Sequence, residues 1–187
     1  MGRDVTEEEQ LRLELVRRFV NSHNIETGTD DLSSTAGLRA WLRGAGLLDE
    51  PAGAAENGDL ERAIAVREAL RELLLANHGH QPAPVLALDV LNDAIGRAGL
   101  SISLTAEPGW IPVSTAGKVD GAIGSLLGIV VESIADGSWR RLKACANDEC
   151  RWAFYDSSRA RSGRWCSMGG CGNRAKQRAW RRRQAPA

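Results

Sequence analysis

The sequence predicts a mainly α chain with one small β-hairpin, an α+β arrangement. A helical domain over residues 1–137 precedes a small cysteine-bearing module over residues 138–187 that ends in a basic helix. Three observations predict it. Apolar residues recur at three- and four-residue spacing through most of the first 136 positions, the pattern of amphipathic helices. The period drops to two only between Leu100 and Val113, as in a strand pair. All four cysteines lie beyond position 144, as C-x4-C, fifteen residues, C-x4-C.

Each element follows from a local signal. Thr6-Glu-Glu-Glu9 reads as a capping box that starts a helix. Leu11, Leu15 and Phe19, with Val16 and Val20 offset, turn one face of residues 7–22 toward a core. His23 then partners the dipole at the helix C-terminus, and residues 24–31 form a polar loop. Ser33 or Ser34 caps a short helix through Trp41-Leu42-Arg43, which Gly44 ends in the left-handed conformation. After a loop over residues 51–58, Asp59 caps a helix carrying Leu60, Ile64, Leu70 and Leu74 on one side. His78-Gly-His80 is a loop; the histidine pair has no third ligand near it in sequence. Residues 85–100 read as a helix through Leu88, Leu91 and Ile95.

Leu100, Ile102 and Leu104 alternate with polar residues, Glu107-Pro108-Gly109 has turn composition, and Ile111 and Val113 resume the alternation. A hairpin is predicted there, with Trp110 just after the turn. Residues 118–136 form an apolar helix with Ile123, Leu126, Leu127, Val130 and Ile134 toward the core. Gly121, Gly124 and Gly128 each weaken that helix by about 0.8–1 kcal/mol relative to Ala, so they are expected to admit another backbone. Gly137 ends the helix and the first domain.

Composition excludes whole classes. An apolar content of 43% and a charged content of 26% are those of a globular chain, and no apolar run reaches the length of a membrane span. No nucleophile elbow, P-loop, zincin helix or dinucleotide fingerprint is present, so no enzyme is expected. The formal net charge of zero conceals an asymmetry. Residues 1–137 hold 11 Lys+Arg against 21 Asp+Glu, and residues 138–187 hold 13 against 3. The first part is thus −10 and the second +10. Arg outnumbers Lys 21 to 3 along the whole chain, so clustering rather than Arg identity carries information.

Two cysteine pairs separated by a hairpin-length segment can bring four sulfurs to the corners of a tetrahedron, the geometry of a closed structural zinc site. Residues 1–10 are polar and acidic where an export leader needs an apolar run. The expected compartment is therefore the reducing cytoplasm, in which paired cysteines are more often ligands than disulfides. Four thiolates also suit iron, but no redox motif accompanies them, and one structural Zn²⁺ is the preferred reading. Cys145–Cys150 would be a metal-binding turn, Arg151–Tyr155 a short strand, residues 156–163 a turn-rich loop and Arg164–Cys166 a second strand. A helix then starts near Cys171 and runs to about Gln184, giving a treble-clef-like finger. Trp152, Phe154 and Trp165 would form its miniature core.

The string RWCSMGGCGNRAKQRAWRRR, preceded by C-x4-C and F-Y-D-S-S-R, resembles the CGNR zinc finger of bacterial proteins described as candidate stress-response transcription regulators. Phe19-Val-Asn-Ser22, Trp41-Leu42 and Gly46-Leu-Leu48 resemble, more loosely, the helical ABATE domain that precedes the finger in that family. The resemblance implies that Cys145, Cys150, Cys166 and Cys171 bind zinc and that the chain is a cytoplasmic regulator, its helical domain sensing a small-molecule effector. Ala160 and Gly163 depart from the family pattern, which more often has Asn and Arg there.

A fully thiolated zinc has no open coordination position, so the metal holds shape while other residues make contacts. Arg174, Arg178 and Arg181 or Arg182 share one face of the terminal helix, and Lys176, Trp180 and Arg183 an adjacent one. Arg159, Arg164, Asn173, Arg174, Lys176, Arg178, Arg181 and Arg182 are the candidate DNA contacts. The competing reading is a protein-interaction or autoinhibitory module whose basic face docks on the acidic domain. A homodimer is compatible with a single small finger, although no heptad specifies one.

Overall fold

The computed structural model describes residues 7–49, 55–78, 82–107 and 109–184. Its centre is helix α3 (Asn57–Ala76), which buries side chains on most of its circumference and packs against α1 (Glu7–Val20), α2 (Thr35–Gly44), α4 (Val85–Arg97) and α5 (Lys118–Asp136). Leu70 and Leu74 of α3 meet Leu13, Val16, Phe19 and Val20 of α1, Leu38 and Leu42 of α2, and Leu126 and Leu127 of α5 in one core. Phe19 and Trp41 stack edge to face with ring centroids 5.1 Å apart.

Several sequence expectations shift by a fraction of a turn. The inward stripe of α1 runs through Leu13, Val16 and Phe19, and Leu11 faces solvent. On α5, Ile134 is likewise exposed, and its neighbour Ser133 is the one turned inward. Leu88 of α4 also lies at the surface, and Ala87, Leu91 and Ala94 turn inward. The capping box expected at residues 6–9 lies largely outside the described residues, as do His80 and residues 51–54 of the 51–58 loop. Ser34, not Ser33, caps α2, accepting from the Gly37 N–H at 3.1 Å. Gly44 is the last residue of that helix, and Gly46 takes the left-handed conformation at φ +69°. Asp59 sits three residues inside α3 and accepts from the Glu56 N–H at 2.8 Å, the reciprocal half of a capping box. His23 belongs to β1 (His23–Asn24), which pairs with β2 (Thr29–Asp30) across the presumed loop.

The hairpin forms as expected, from β3 (Leu100–Leu104) and β4 (Trp110–Ser114), with Ile102 opposite Pro112. Its inner face rests on the glycines of α5. A Cβ on Gly124 would lie 2.7 Å from both Ala98 Cβ and Ser114 Oγ, and one on Gly128 would lie 3.0 Å from Pro112. Close approach is therefore what those glycines provide, and Gly137, at φ +81°, closes the helix.

After a 3-10 turn (Ser138–Arg141), β5 (Leu142–Ala144) pairs antiparallel with β6 (Ala153–Tyr155). The partner of β6 thus precedes the first cysteine pair. Arg164–Cys166, expected as the second strand, is irregular, with Arg164 O accepting the Ala146 N–H. Trp139, Leu142, Ala144 and Ala153 are buried in the same core as the helices. A wide turn (Met168–Gly172) then leads into α6 (Asn173–Gln184), which has no buried residue. Among the described residues no helix is long and apolar enough to cross a membrane.

Candidate metal centre and basic helix

The four thiols converge. Cys145 and Cys150 come from the turn between β5 and β6, Cys166 from the returning loop and Cys171 from the wide turn before α6; their sulfurs all lie within 4.8 Å of one another. Cys150 and Cys166 are 3.7 Å apart at Sγ, and Cys166 and Cys171 3.8 Å. A regular tetrahedron with Zn–S bonds of about 2.3 Å has edges of about 3.8 Å. A disulfide needs about 2.04 Å, so the spacing is that of ligands. Cys145, Cys150 and Cys171 are buried, and Trp152 and Trp165 shield the cluster as expected. Phe154 instead faces the His78 ring, with centroids 6.4 Å apart.

Local bonds set this geometry. The Cys145 N–H donates to Trp152 O, and the N–H groups of Cys150 and Arg151 both donate to Asn147 O, closing the first metal-binding turn with Arg151 left-handed at φ 47°. Ser167 Oγ accepts from Gly170 N–H, and Gly172 N–H donates to Ser167 O, closing the second. Burial pushes the Cys150 thiol up to about 11, and burial with the neighbouring sulfurs pushes Cys166 higher still. Burial also disfavours the Cys171 thiolate, but the Arg174 guanidinium, donating to Sγ at 3.1 Å, and the adjacent thiols hold it below the ordinary thiol range. Raised thiols among crowded sulfurs are the electrostatic condition that a dication relieves. The donor set fits one structural Zn²⁺ with no position left for substrate.

Two buried features escaped the sequence reading. Lys143, 1% exposed, donates from Nζ to Asp156 Oδ2 at 2.8 Å, Arg161 O at 2.5 Å and Gly163 O at 3.2 Å. Burial opposes the Asp156 carboxylate, yet the Lys143 ammonium and the N–H groups of Ser158 and Gly163 hold it down at about 2. The pair pins the 156–163 loop. Gly163 follows from it, because a Cβ there would stand 2.8 Å from the Asp156 carboxyl. The Asp-Ser-Ser segment, an Asx turn by composition, was the available signal.

The second feature is a set of straps between the helical body and the cysteine module. Asn21 exchanges two bonds with the Ala153 backbone, at 2.9 and 2.7 Å. Arg71, 1% exposed, donates to Val20 O and Arg151 O at 2.7 and 2.9 Å. Asn77 donates to Trp139 O and Leu142 O, and His78 Nε2 meets Ala144 O. Burial, with Lys143 and Arg164 nearby, holds the His78 imidazolium below its usual range.

The candidate contact residues divide into two groups. Arg174 is bidentate to Glu26, at 2.6 and 3.3 Å, across 148 positions of sequence. Arg178 donates to Asn147 Oδ1 at 2.8 Å and lies 3.8 Å from Glu149. These two, both candidate DNA contacts, line the seam between α6 and the rest of the chain. Asn173 Nδ2 donates to Gly169 O at 3.2 Å, and Arg164 stacks over the Trp165 ring at 5.6 Å. Arg159, Lys176, Arg181 and Arg182 are exposed, as are Trp180 and Arg183, and none of these cations has an ion-pair partner among the described residues.

A helical body carrying a four-thiolate finger with a basic terminal helix defines a zinc-finger protein. The family model described as "putative stress-induced transcription regulator", ABATE, matches residues 13–137, and that of the CGNR zinc finger matches residues 141–184. The chain belongs to the ABATE family and carries a CGNR zinc finger. Neither family is an enzyme family by its description. No curated protein matches the chain.

Proposed function

We propose that this protein is a cytoplasmic, non-enzymatic transcription regulator that contacts duplex DNA through the exposed cations of α6 and of the loop before it. The carrying observation is a set of exposed cations with no ion-pair partner among the described residues: Lys176, Arg181, Arg182 and Arg183 on α6, with Arg159 on the 156–163 loop. They belong to the part of the chain with a net charge of +10, and Trp180 stands 58% exposed among them. Arg forks and a Lys ammonium on one rod suit phosphate oxygens and guanine edges. Residues 1–137 and 138–187 act in this reading as sensor and reader. The open cleft of about 630 Å³ between Leu47, Leu48, Pro112, Lys118 and Gly121 has the size of a small-molecule effector site.

Five neutralised phosphates give a slope near −4.5 in log affinity against log salt on duplex DNA. Replacing Lys176 and Arg183 by Ala should reduce that slope by about 1.8 and weaken binding across sequences. Arg174→Ala should change it little, since that guanidinium already faces Glu26. A slope near zero would sink the proposal. It would favour the second reading, an interaction or autoinhibitory module, for which the Arg174–Glu26 contact between finger and body is the specific support.

A further inference from the structure

We infer that the outer edge of β3 is a self-recognition surface, on which a second copy of this chain pairs antiparallel about a two-fold axis at Ile102. The inference is independent of the DNA reading.

The two edges of the hairpin differ. Thr105 N–H donates to Gly109 O, so the odd-numbered residues of β3 are the ones bonded to β4. The N–H and C=O groups of Leu100, Ile102 and Leu104 therefore point away from β4. Among the described residues none of them bonds elsewhere. On the other strand the even positions also face outward, and Pro112, opposite Ile102, leaves the outer edge of β4 without a donor at its centre. One edge is proline-guarded; the other is open.

Natural sheets protect open edges with Lys, Pro, a bulge or a covering element. Among the described residues the edge of β3 has none of these. Neither strand contains a charged residue, Ser101 to Leu104 are all exposed, and Ile102 and Leu104 are 65% and 84% exposed. A general peptide-binding edge would carry some chemistry for a foreign side chain. This one reads Leu100-Ser-Ile-Ser-Leu104, the same in both directions. A two-fold pairing centred on Ile102 would set Leu100 against the second copy's Leu104, Ser101 against its Ser103 and Ile102 against its own counterpart. Both faces would match themselves, which is the requirement of an isologous interface. All three outward residues fall in hydrogen-bonded pairs in that register, so each exchanges both its backbone bonds. The result is a four-stranded sheet in the order β4-β3-β3-β4, edged on both sides by Pro112.

The test uses the full zinc-loaded chain. Sedimentation across a dilution series should show a mass twice 20.2 kDa that falls to the monomer on dilution. Amide exchange gives a signature that needs no variant: Leu100, Ile102 and Leu104 should gain protection with concentration, while Ser101 and Ser103 are protected throughout. Ile102→Lys and Ile102→Glu should each be monomeric with unchanged zinc content and far-UV spectrum, and an equimolar mixture of the two should recover the doubled mass. A wild-type chain that stays monomeric, a dimer whose three even-numbered amides exchange freely, or a Lys variant that keeps the doubled mass would each overturn the inference.

Discussion

Asp156→Ala tests how the 156–163 loop is held beneath the metal centre. The substitution removes the carboxylate that faces Lys143 Nζ at 2.8 Å and also accepts the N–H groups of Ser158 and Gly163. Lys143 is 1% exposed, so its ammonium would stay out of water with only the carbonyls of Arg161 and Gly163 as acceptors. Breaking one side of a buried pair in this way costs about 3–5 kcal/mol. With a urea slope near 2 kcal/mol/M, the unfolding midpoint should fall by roughly 1.5–2.5 M. Trp139, Trp152 and Trp165, near the loop in sequence, provide the fluorescence signal. The assay belongs at pH 7: the carboxyl is depressed from 3.8 to about 2, so its contribution is complete above about pH 4 and is lost as the pH falls through 2. A midpoint shift worth less than about 1 kcal/mol would refute the argument that Lys143 depends on this carboxylate.

Two further outcomes follow from the packing. Chelating the metal, or replacing Cys166 by Ser, should collapse the turns at Cys145–Cys150 and Met168–Gly172 while the far-UV signal of α1, α3 and α5 persists, because their core contains no cysteine; loss of most helical signal would contradict this. Gly124→Ala should destabilise despite the better helix former. The added methyl meets Ala98 Cβ and Ser114 Oγ at 2.7 Å, and overpacking of about 1–3 kcal/mol outweighs a propensity gain of about 1; a raised melting temperature would refute the close-approach reading.

What the sequence made legible were the features written in local spacing. The four cysteines announce their convergence through two C-x4-C pairs, Gly137 marks the end of α5, and the hairpin follows from a period of two. Side chains whose meaning depends on distant partners were opaque. Lys143 in a three-residue strand reads as a surface residue until Asp156 folds over it, and Asn21, Arg71 and Asn77 look solvated until a strand backbone arrives from beyond position 139. The partners of α6 were hidden for the same reason: the helix wheel groups Arg174 with Arg178 and Arg181, and only the folded chain brings Glu26 and Asn147 to the first two. Leu11 and Ile134 failed differently, since spacing marks an apolar stripe but not its exact angle, and the buried positions beside them are Leu13 and Ser133.

The terminal helix behaves mechanically as a cantilever. Its twelve residues span about 18 Å without burying one of their own side chains, and among the described residues its ties to the rest of the chain lie in the half that ends at Arg178. There Asn147 touches both the Cys171 sulfur and Arg178, while Arg174 grips the same sulfur and Glu26. A tilt of about ten degrees at that clamp would carry the free tip roughly 3 Å over such a length, comparable to the reach of one hydrogen bond. Aim is thus decided at the sulfur end, far from whatever the tip meets.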